Sequence, residues 1–180
     1  MKILNFQRFF NLVRSGQVKL NLGCGLDKKP DFINVDLREE VQPDIVHDLE
    51  KKLPFPDCSV DEIIAKDVLE HFSFRKVRQI LRDWFRVLKP GGKIYIQTPD
   101  LEAIARKVIL SGQFNWEQMS YWVYGGQDYE TNYHKAGFTI PELKKLLEEI
   151  GFVVDKIVND GGTNICCWAH KPTSSQGGGQ

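Results

Sequence analysis

Two glycines follow the end of a predicted strand and could bring the backbone close to a ligand. Val18 to Leu22 alternates apolar and polar residues, which predicts a short strand, and the chain then runs into Gly23-Cys24-Gly25. Glycine lacks a Cβ, so the backbone can turn tightly there and approach a bound molecule. In open α/β sheets this end of a strand is where ligands bind. The glycine pair alone is equally compatible with a plain turn, so the residues that follow it decide between the two.

Acidic residues follow the next two predicted strands. Phe32 to Val35 is predicted as a second strand that ends in Asp36, and Asp44 to Val46 as a third that leads to Asp48. Carboxylates at strand ends could accept hydrogen bonds from the hydroxyl or amino groups of a ligand. The plainer alternative is that both aspartates only form turns.

Two histidines add a group that could move a proton, because histidine is the usual base at neutral pH. A fourth predicted strand within 59–66 is followed by Asp67, and His71 lies one turn later. His134 lies in the stretch 113–138, which is rich in Trp, Tyr, Asn, Gln and Gly and has poor periodicity. The alternatives are that His71 helps to cap a helix and that His134 lies on the surface.

The chain as a whole has the size and composition of one globular domain, which we place at residues 1–172 of 180. The 24 basic and 24 acidic residues give zero net charge, which argues against a nucleic-acid-binding surface. No run is apolar enough to span a membrane. The four cysteines have no metal-like spacing, so we expect reduced thiols, a cytoplasmic protein and no metal site. The Ser/Gly/Gln-rich tail 173–180 is predicted to be disordered.

The connections after the first two of these strands are unusually short. Residues 26–31 and 37–43 are the only links, whereas a parallel crossover normally takes a dozen or more residues. Either these strands are not parallel neighbours, or two crossover helices are reduced to loops; we choose the second. The N-terminal helix predicted over 1–16 is the expected cover for the bare sheet face, although a partner-binding or membrane-surface helix is the alternative. Its apolar face comprises Phe6, Phe9, Phe10 and Val13.

The rest of the chain predicts alternating helices and strands. A helix after the N-cap Ser73 ends at the Lys89-Pro90-Gly91-Gly92 stop, and a strand follows at 94–97. Further helices are predicted over 101–111 and 140–150, and two closing strands over 152–158 and 163–170.

Five stretches then carry a family resemblance: LNLGCG, NVD, HDLEKKLPFPDCSVDEI, DVLEHF and RVLKPGGKIYIQTPD. In this order they resemble the class I S-adenosylmethionine-dependent methyltransferase family, most closely its small type 11 members, over Val18 to His170. The resemblance implies an α/β fold, a Rossmann-like three-layer sandwich. Its seven-stranded, mostly parallel sheet has the last strand antiparallel, and here the first crossover helices are shortened or missing. The Asn159-Asp160-Gly161-Gly162 turn between the closing strands agrees with that ending.

The resemblance also implies S-adenosyl-L-methionine as cofactor and assigns residues to it. Asp36 would accept from the ribose hydroxyls and Asp48 from the adenine amino group, while the Leu49 amide would donate to the ring. Asn21 stands where many relatives carry an acidic residue for the methionine ammonium. The expected cofactor-binding residues are Asn21, Gly23, Cys24, Gly25, Asp36, Leu37, Asp48, Leu49, Lys66 and Asp67.

The implied reaction is direct displacement, in which the enzyme mainly supplies proximity and alignment. We expect O-methylation of a small molecule or glycan, with His134 as the base and His71 as the competing candidate. The insertion 113–138 would determine which acceptor binds. Gly125-Gly126 would act as its hinge, and Asn132 and Gln127 would form hydrogen bonds with hydroxyl groups of the acceptor. Its aromatic residues are Trp116, Tyr121, Trp122, Tyr124, Tyr129 and Tyr133, and the alternative is that they fill a small satellite core.

Other functions are less compatible with these residues. Asp36 comes only eleven positions after Gly25, fewer than the roughly twenty of dinucleotide binders, which disfavours a nicotinamide oxidoreductase. The Asn/Asp-Pro-Pro-Tyr/Phe motif of the amino-methylating DNA enzymes of this superfamily is absent after the fourth strand. The remaining alternative is a catalytically weak or inert methyltransferase-like module that binds cofactor and acts as a partner subunit. We expect a monomer or homodimer.

Overall fold

Eight strands form one mixed sheet in a computed structural model of the chain, which describes residues 1–111 and 115–173. The strands are β1 (Lys2–Ile3), β2 (Lys19–Leu22), β3 (Ile33–Asp36), β4 (Ile45–Val46), β5 (Val60–Lys66), β6 (Leu88–Pro99), β7 (Val153–Asn159) and β8 (Asn164–His170). The helices are α1 (Phe6–Arg14), α2 (Phe74–Val87), α3 (Leu101–Ser111), α4 (Trp116–Tyr124) and α5 (Ile140–Ile150). Short 3-10 turns lie at Glu39–Val41 and Leu69–His71.

The strand order is β1-β4-β3-β2-β5-β6-β8-β7. The strands from β4 to β6 run parallel, and β8 is antiparallel to both β6 and β7, which confirms the Rossmann-like sheet with an antiparallel last strand. The predicted count of seven strands is wrong, because β1 adds an eighth, antiparallel to β4. Two residues are too few for a periodicity that a sequence could reveal.

Both early crossovers lack a helix, as predicted. The chain passes from β2 to β3 through residues 23–32 without a helix, and from β3 to β4 with only the turn Glu39–Val41. The strands are nevertheless parallel neighbours, with Leu20 opposite Ile33 and Val35 opposite Ile45. The carboxyl ends of β2, β3 and β4 therefore lie together at one edge of the sheet.

Where these helices are missing, a buried row of polar side chains crosses three strands. Asn21 of β2 lies opposite Asn34 of β3, and its Nδ2 donates to the Asn34 Oδ1 at 2.9 Å. Asn34 Nδ2 in turn donates to Asp44 Oδ2, just before β4, at 3.0 Å. Arg8 of α1 closes the row, since its Nε donates to Asp44 Oδ1 at 2.9 Å. This polar row, Asn21-Asn34-Asp44, satisfies groups that would be costly to bury without partners.

The N-terminal helix covers the sheet with a different face from the one predicted. Phe9 and Leu12 pack against the core, whereas Phe6 is 66% and Phe10 42% exposed. The helix occupies 6–14 within the predicted 1–16. The cause is Arg8, whose guanidinium also donates to the carbonyls of residues 29, 30 and 32 at 2.7–2.9 Å. Because Arg8 binds these acceptors, the face of α1 that carries Arg8 points toward the sheet. Phe6 and Phe10 therefore remain exposed.

The predicted helices flanking the rest of the sheet are present and carry much of the core. Ser73 is the N-cap of α2 and accepts the Arg75 N–H at 3.4 Å, and Trp84 in this helix is fully buried. Gly151 ends α5 with φ +115°, and Phe152 beyond it packs edge-on against Phe85 of α2 with ring centroids 4.9 Å apart.

The insertion 113–138 contains a helix, α4, that its irregular composition does not predict. The helix ends at Gly125 (φ +85°), where an added Cβ would lie 2.4 Å from the Asn132 carbonyl oxygen. The glycine pair thus permits close packing inside the insertion, which does not support the expected hinge. Residues 112–114, and residues 174–180 of the tail, lie outside the described part. None of the described helices combines the length and apolarity that a membrane span requires.

Candidate functional site

A cavity of about 400 Å³ opens at the edge of the sheet where β2, β3 and β5 end. Small-molecule sites are typically about 300–1,000 Å³ and mostly apolar, with a few placed polar groups. The lining residues are Gly23, Gly25, Asp36, Leu37, Arg38, Asp48, Leu49, Glu50, Asp67, Val68, His71, Phe72, Tyr129, Thr131 and Lys135. We call this the first cavity.

Asp36 fixes the glycine turn against β3. Its Oδ2 accepts the Gly25 N–H at 2.8 Å and its Oδ1 accepts the Arg38 N–H at 2.9 Å. The Arg38 Nε lies 3.6 Å from the same Oδ1, and Asp36 is only 6% exposed. A carboxylate offers about four acceptor positions, so Asp36 can form this turn and still accept from a ligand in the cavity.

Asp48 likewise combines a turn with a place in the cavity wall. Its Oδ1 accepts the Glu50 N–H at 3.0 Å, and Lys51 Nζ lies 3.5 Å from its Oδ2. About a third of the Asp48 side chain is exposed, so water reaches it more easily than Asp36. Both aspartates therefore form turns, as the plainer alternative predicts, and both also line the cavity.

Seven of the ten expected cofactor-binding residues line the first cavity: Gly23, Gly25, Asp36, Leu37, Asp48, Leu49 and Asp67. Asn21, Cys24 and Lys66 do not. Asn21 belongs to the polar row, where its Nδ2 also donates to the Asp27 carbonyl at 2.9 Å. Cys24 is buried beneath the turn, and burial raises the pKa of its thiol to about 12. Lys66 is exposed at the end of β5.

Sequence reasoning missed several lining residues, notably Arg38, and expected Tyr129 only at the acceptor and not in the first cavity. The guanidinium carbon of Arg38 lies 4.1 Å from the centroid of the Tyr129 ring, an arginine–aromatic contact that joins the β3 loop to the insertion. Arg38 follows Asp36 by two positions, at the point where the Asp36 side chain caps the turn, which is the signal that could have singled it out.

A second cavity of about 760 Å³ adjoins the first. Four residues line both: Arg38, Asp67, His71 and Tyr129. The insertion also contributes Tyr121, Trp122, Gly125, Gly126, Asp128, Asn132 and His134. The other lining residues are Leu26, Glu40, Val41, Glu70, Pro99, Ile104, Thr163 and Asn164. Trp116, Tyr124, Gln127 and Tyr133, also expected to face an acceptor, do not line it. Tyr121 is 63% exposed, which is incompatible with a satellite core at this position.

The two candidate bases lie side by side where the cavities meet. The ring centroids of His71 and His134 are 5.2 Å apart at an interplanar angle of 62°. His71 Nδ1 lies 3.1 Å from the carbonyl oxygen of Tyr133; because a carbonyl only accepts, Nδ1 carries the proton and Nε2 keeps its lone pair. Burial lowers the pKa of both imidazoles, so both are neutral and able to accept a proton at pH 7.

Two carboxylates accompany the histidines. Asp67 has φ +52°, an uncommon backbone conformation for a residue other than glycine, and its carboxylate accepts from Gln97 Nε2 at 3.0 and 3.2 Å. Glu70 is 2% exposed and accepts from the Thr98 hydroxyl at 2.9 Å. Burial raises the pKa of Asp67, and it raises that of Glu70 to about 8. Sequence reasoning did not select Glu70, although an acid beside a candidate base was visible in DVLEHF.

Comparisons with known proteins agree with this fold. Residues 15–96 match the type 11 family model described as "Methyltransferase domain". A probable S-adenosylmethionine-dependent methyltransferase of Mycolicibacterium smegmatis is 32% identical over 113 residues, which cover 62% of this chain but only 36% of that relative. The chain thus spans about a third of that relative's length.

Solved structures of low sequence identity share the fold. A SAM-dependent methyltransferase from Methanosarcina mazei has a TM-score of 0.62 at 18% identity, covering 93% of this chain and 98% of that one. A putative methyltransferase of Haloferax volcanii, solved in complex with the Trm112 methyltransferase activator, has a TM-score of 0.62 at 15% identity, covering 93% and 90%.

These findings define a Rossmann-like methyltransferase fold with a ligand cavity at its strand ends. Residues 15–96 are similar to the type 11 methyltransferase family model, and most of the chain shares the fold of class I S-adenosylmethionine-dependent methyltransferases.

S-Adenosylmethionine is the cofactor of this family, and the first cavity has groups that fit it. Two carboxylates, Asp36 and Asp48, stand at neighbouring strand ends between the apolar walls Leu37 and Leu49. At Gly25, chain neighbours aside, the described residues place one heavy atom within 4 Å of an added Cβ, an Arg38 guanidinium nitrogen at 3.5 Å, so the backbone there is open to a bound molecule.

Proposed function

We propose that this protein transfers the methyl group of S-adenosylmethionine to a hydroxyl group of a small molecule or glycan. The observation that carries the proposal is the junction of the two cavities. Asp67 and His71 line both, and the His71 and His134 rings meet there at 5.2 Å. A methyl donor in the first cavity and an acceptor in the second would therefore meet beside two neutral imidazoles.

The first cavity would hold the cofactor at its ribose and adenine. Asp36 accepts from the ribose hydroxyls, while Asp48 accepts from the adenine amino group and the Leu49 amide donates to the ring. When bound, the cofactor supplies a methyl group on a positively charged sulfur, and the bonding electrons stay with that sulfur on transfer. The role of the protein is to fix the distance and the angle between the attacking oxygen and the methyl carbon. This alignment accounts for most of the rate increase in such a displacement.

The second cavity would hold the acceptor. Tyr121, Trp122 and Tyr129 offer flat surfaces for a sugar or aromatic ring, and Asn132 and Asn164 offer polar groups that can hydrogen-bond hydroxyls. This mixture suits a neutral hydroxylated compound better than a polyanion. The zero net charge of the chain favours the same kind of acceptor.

The hydroxyl proton has to leave as the new carbon–oxygen bond forms. His134 faces the second cavity and is half buried, and His71 presents its unprotonated Nε2 at the junction. Either imidazole can take the proton, and we assign it to His134 because this residue comes from the insertion that lines the acceptor cavity.

The test has two stages. Calorimetry with S-adenosylhomocysteine should show one site per chain, and a panel of sugars and phenols should release this product from S-adenosylmethionine in the presence of at least one hydroxylated member. No heat at high micromolar ligand would reject the cofactor site. Binding combined with methylation of amines or thiols but of no hydroxyl would reject O-methylation.

A non-catalytic partner subunit is the second candidate. Phe6 and Phe10 on the outer face of α1 are exposed and stack with centroids 6.2 Å apart, which leaves an apolar pair available for another protein. Under this alternative the protein binds S-adenosylhomocysteine but methylates no member of the panel. Replacing both phenylalanines with serine would then abolish assembly with the partner without changing cofactor affinity.

A further inference from the structure

We propose that Glu70, His71 and His134 bind a divalent first-row transition-metal ion at the junction of the two cavities. Each residue offers one ligand atom, and these three atoms all lie within 4.8 Å of one another. Two neutral imidazoles and one carboxylate form a donor set that suits ions such as Zn²⁺ and Mn²⁺.

The spacing is close to that of a formed site. Metal–ligand bonds of about 2.1 Å place two tetrahedral ligand atoms about 3.4 Å apart, so the widest pair would have to approach by about 1.4 Å. The shift is small enough for side-chain rotation, because His71 and His134 are only partly buried and face open space. The Glu70 side chain would move least as the ligand atoms approach the ion, because it is 2% exposed.

The surrounding hydrogen bonds orient the ligands as the outer shell of a metal site does. His71 Nδ1 donates to the Tyr133 carbonyl, which leaves Nε2 as the coordinating atom, and the Thr98 hydroxyl holds the Glu70 carboxylate at 2.9 Å. The Glu70 carbonyl oxygen accepts the N–H groups of residues 135 and 136 at 2.7 and 3.1 Å. These last two bonds hold the segment that carries His134 beside the turn that carries Glu70 and His71.

A structural role explains this arrangement less well. Glu70 is 2% exposed, and apart from its bond to the Thr98 hydroxyl its carboxyl group lies beside two imidazoles. Within the described residues, none of the ion pairs involves Glu70. A bound cation would give the buried carboxyl group of Glu70 a charged partner. The expectation that the chain holds no metal came from cysteine spacing and did not consider this cluster.

The catalytic meaning of the site rests on the proposed function. Three protein ligands leave coordination positions open toward the second cavity, where a hydroxyl oxygen of the acceptor would bind. A cation held there would lower the pKa of a coordinated hydroxyl, which could then lose its proton to water as the methyl group is transferred. The histidines would then act as ligands to the ion and not as bases.

Metal binding is tested without any acceptor. Chelator-treated protein is titrated by calorimetry with MnCl₂, ZnCl₂ and, for comparison, MgCl₂. We expect one site for Mn²⁺ or Zn²⁺ that binds at least tenfold more tightly than Mg²⁺. Glu70→Gln and His134→Gln should each weaken binding at least tenfold, with folding checked by circular dichroism.

Matched controls exclude unrelated sites. His170→Gln removes the histidine of β8 that contacts Asp155, and Cys58→Ser removes the exposed thiol; neither should change the affinity. No binding at 1 mM ion, or affinity unaffected by His134→Gln, would overturn the proposal. S-Adenosylhomocysteine calorimetry on the same samples keeps the two proposals apart, because cofactor binding without metal binding rejects only the metal site, and the reverse rejects only the cofactor site.

Discussion

Arg8 and Asp44 form an ion pair between the N-terminal helix and the sheet, with Arg8 Nε 2.9 Å from Asp44 Oδ1. The Asp44 side chain is 6% exposed, and its other oxygen accepts both the backbone and the side-chain N–H groups of Asn34. The pair thus fixes α1 against the part of the sheet where the crossover helices are missing. It also supports β3 and β4, whose ends carry two walls of the first cavity.

Replacing Arg8 should therefore destabilise the fold measurably. We expect Arg8→Ala to lower the free energy of unfolding by about 2–3 kcal/mol, because it leaves the Asp44 carboxylate buried without its cation. Urea denaturation measures the change. Arg14→Ala, on the exposed side of the same helix, is the matched control and should stay within about 0.5 kcal/mol of the unmodified protein. Equal stability of the two variants would show that the ion pair contributes nothing.

Removing residues 1–14 should expose the sheet. Phe9 and Leu12 pack against the core, so their loss leaves apolar surface uncovered, and the shortened chain should aggregate or dimerise. Size-exclusion chromatography with light scattering measures the assembly state. Phe6→Ser in the full chain is the control and should leave the assembly state unchanged, because the Phe6 side chain is exposed. A shortened chain that remains a monomer with unchanged melting would refute the covering role of α1.

Much of the fold and of the lining of the first cavity could be predicted because the signals are local. Each strand is a short apolar run, and the acid at its end or the glycines after it lie in the same few residues. Asp36, Asp48 and Asp67 could therefore be placed at one edge of the sheet without knowledge of tertiary contacts.

The remainder depends on contacts between distant parts of the chain. The apolar periodicity of α1 predicted the wrong face, because the hydrogen bonds of Arg8 to Asp44 and to three loop carbonyls outweigh the burial of Phe10. The contact of Arg38 with Tyr129 joins residues 91 positions apart, and that of Glu70 with Thr98 joins residues 28 positions apart. No periodicity links such positions, so sequence reasoning could not bring them together.

The carboxylate at the end of β3 should dominate cofactor affinity. We expect Asp36→Ala to weaken S-adenosylhomocysteine binding by about 1–3 kcal/mol, because two ribose hydroxyls lose their acceptor. Asp48→Ala should cost less, since water can replace a single contact at this more exposed side chain. Calorimetry measures both, with the exposed Asp31→Ala as the control on the neighbouring loop. If Asp36→Ala and Asp48→Ala both bind like the unmodified protein, the assignment of the first cavity is wrong.

The two histidines at the junction should affect turnover far more than they affect folding or cofactor binding. His134 is half buried, contacts the His71 ring at the junction and does not line the first cavity, so His134→Ala should leave the melting temperature and S-adenosylhomocysteine affinity nearly unchanged. Turnover with the hydroxylated acceptor found in the panel should fall by about a hundredfold or more, whether the imidazole takes the proton or holds an ion.

His71→Ala is the parallel variant, and His170→Ala, which lies outside both cavities, is the control and should retain full activity. Because His71 lines both cavities, its loss should lower turnover and also weaken cofactor binding modestly. Full turnover in His134→Ala together with lost turnover in His71→Ala would place the reactive group on the loop after β5. The insertion would then only shape the acceptor cavity, and His71 alone would remain as the base.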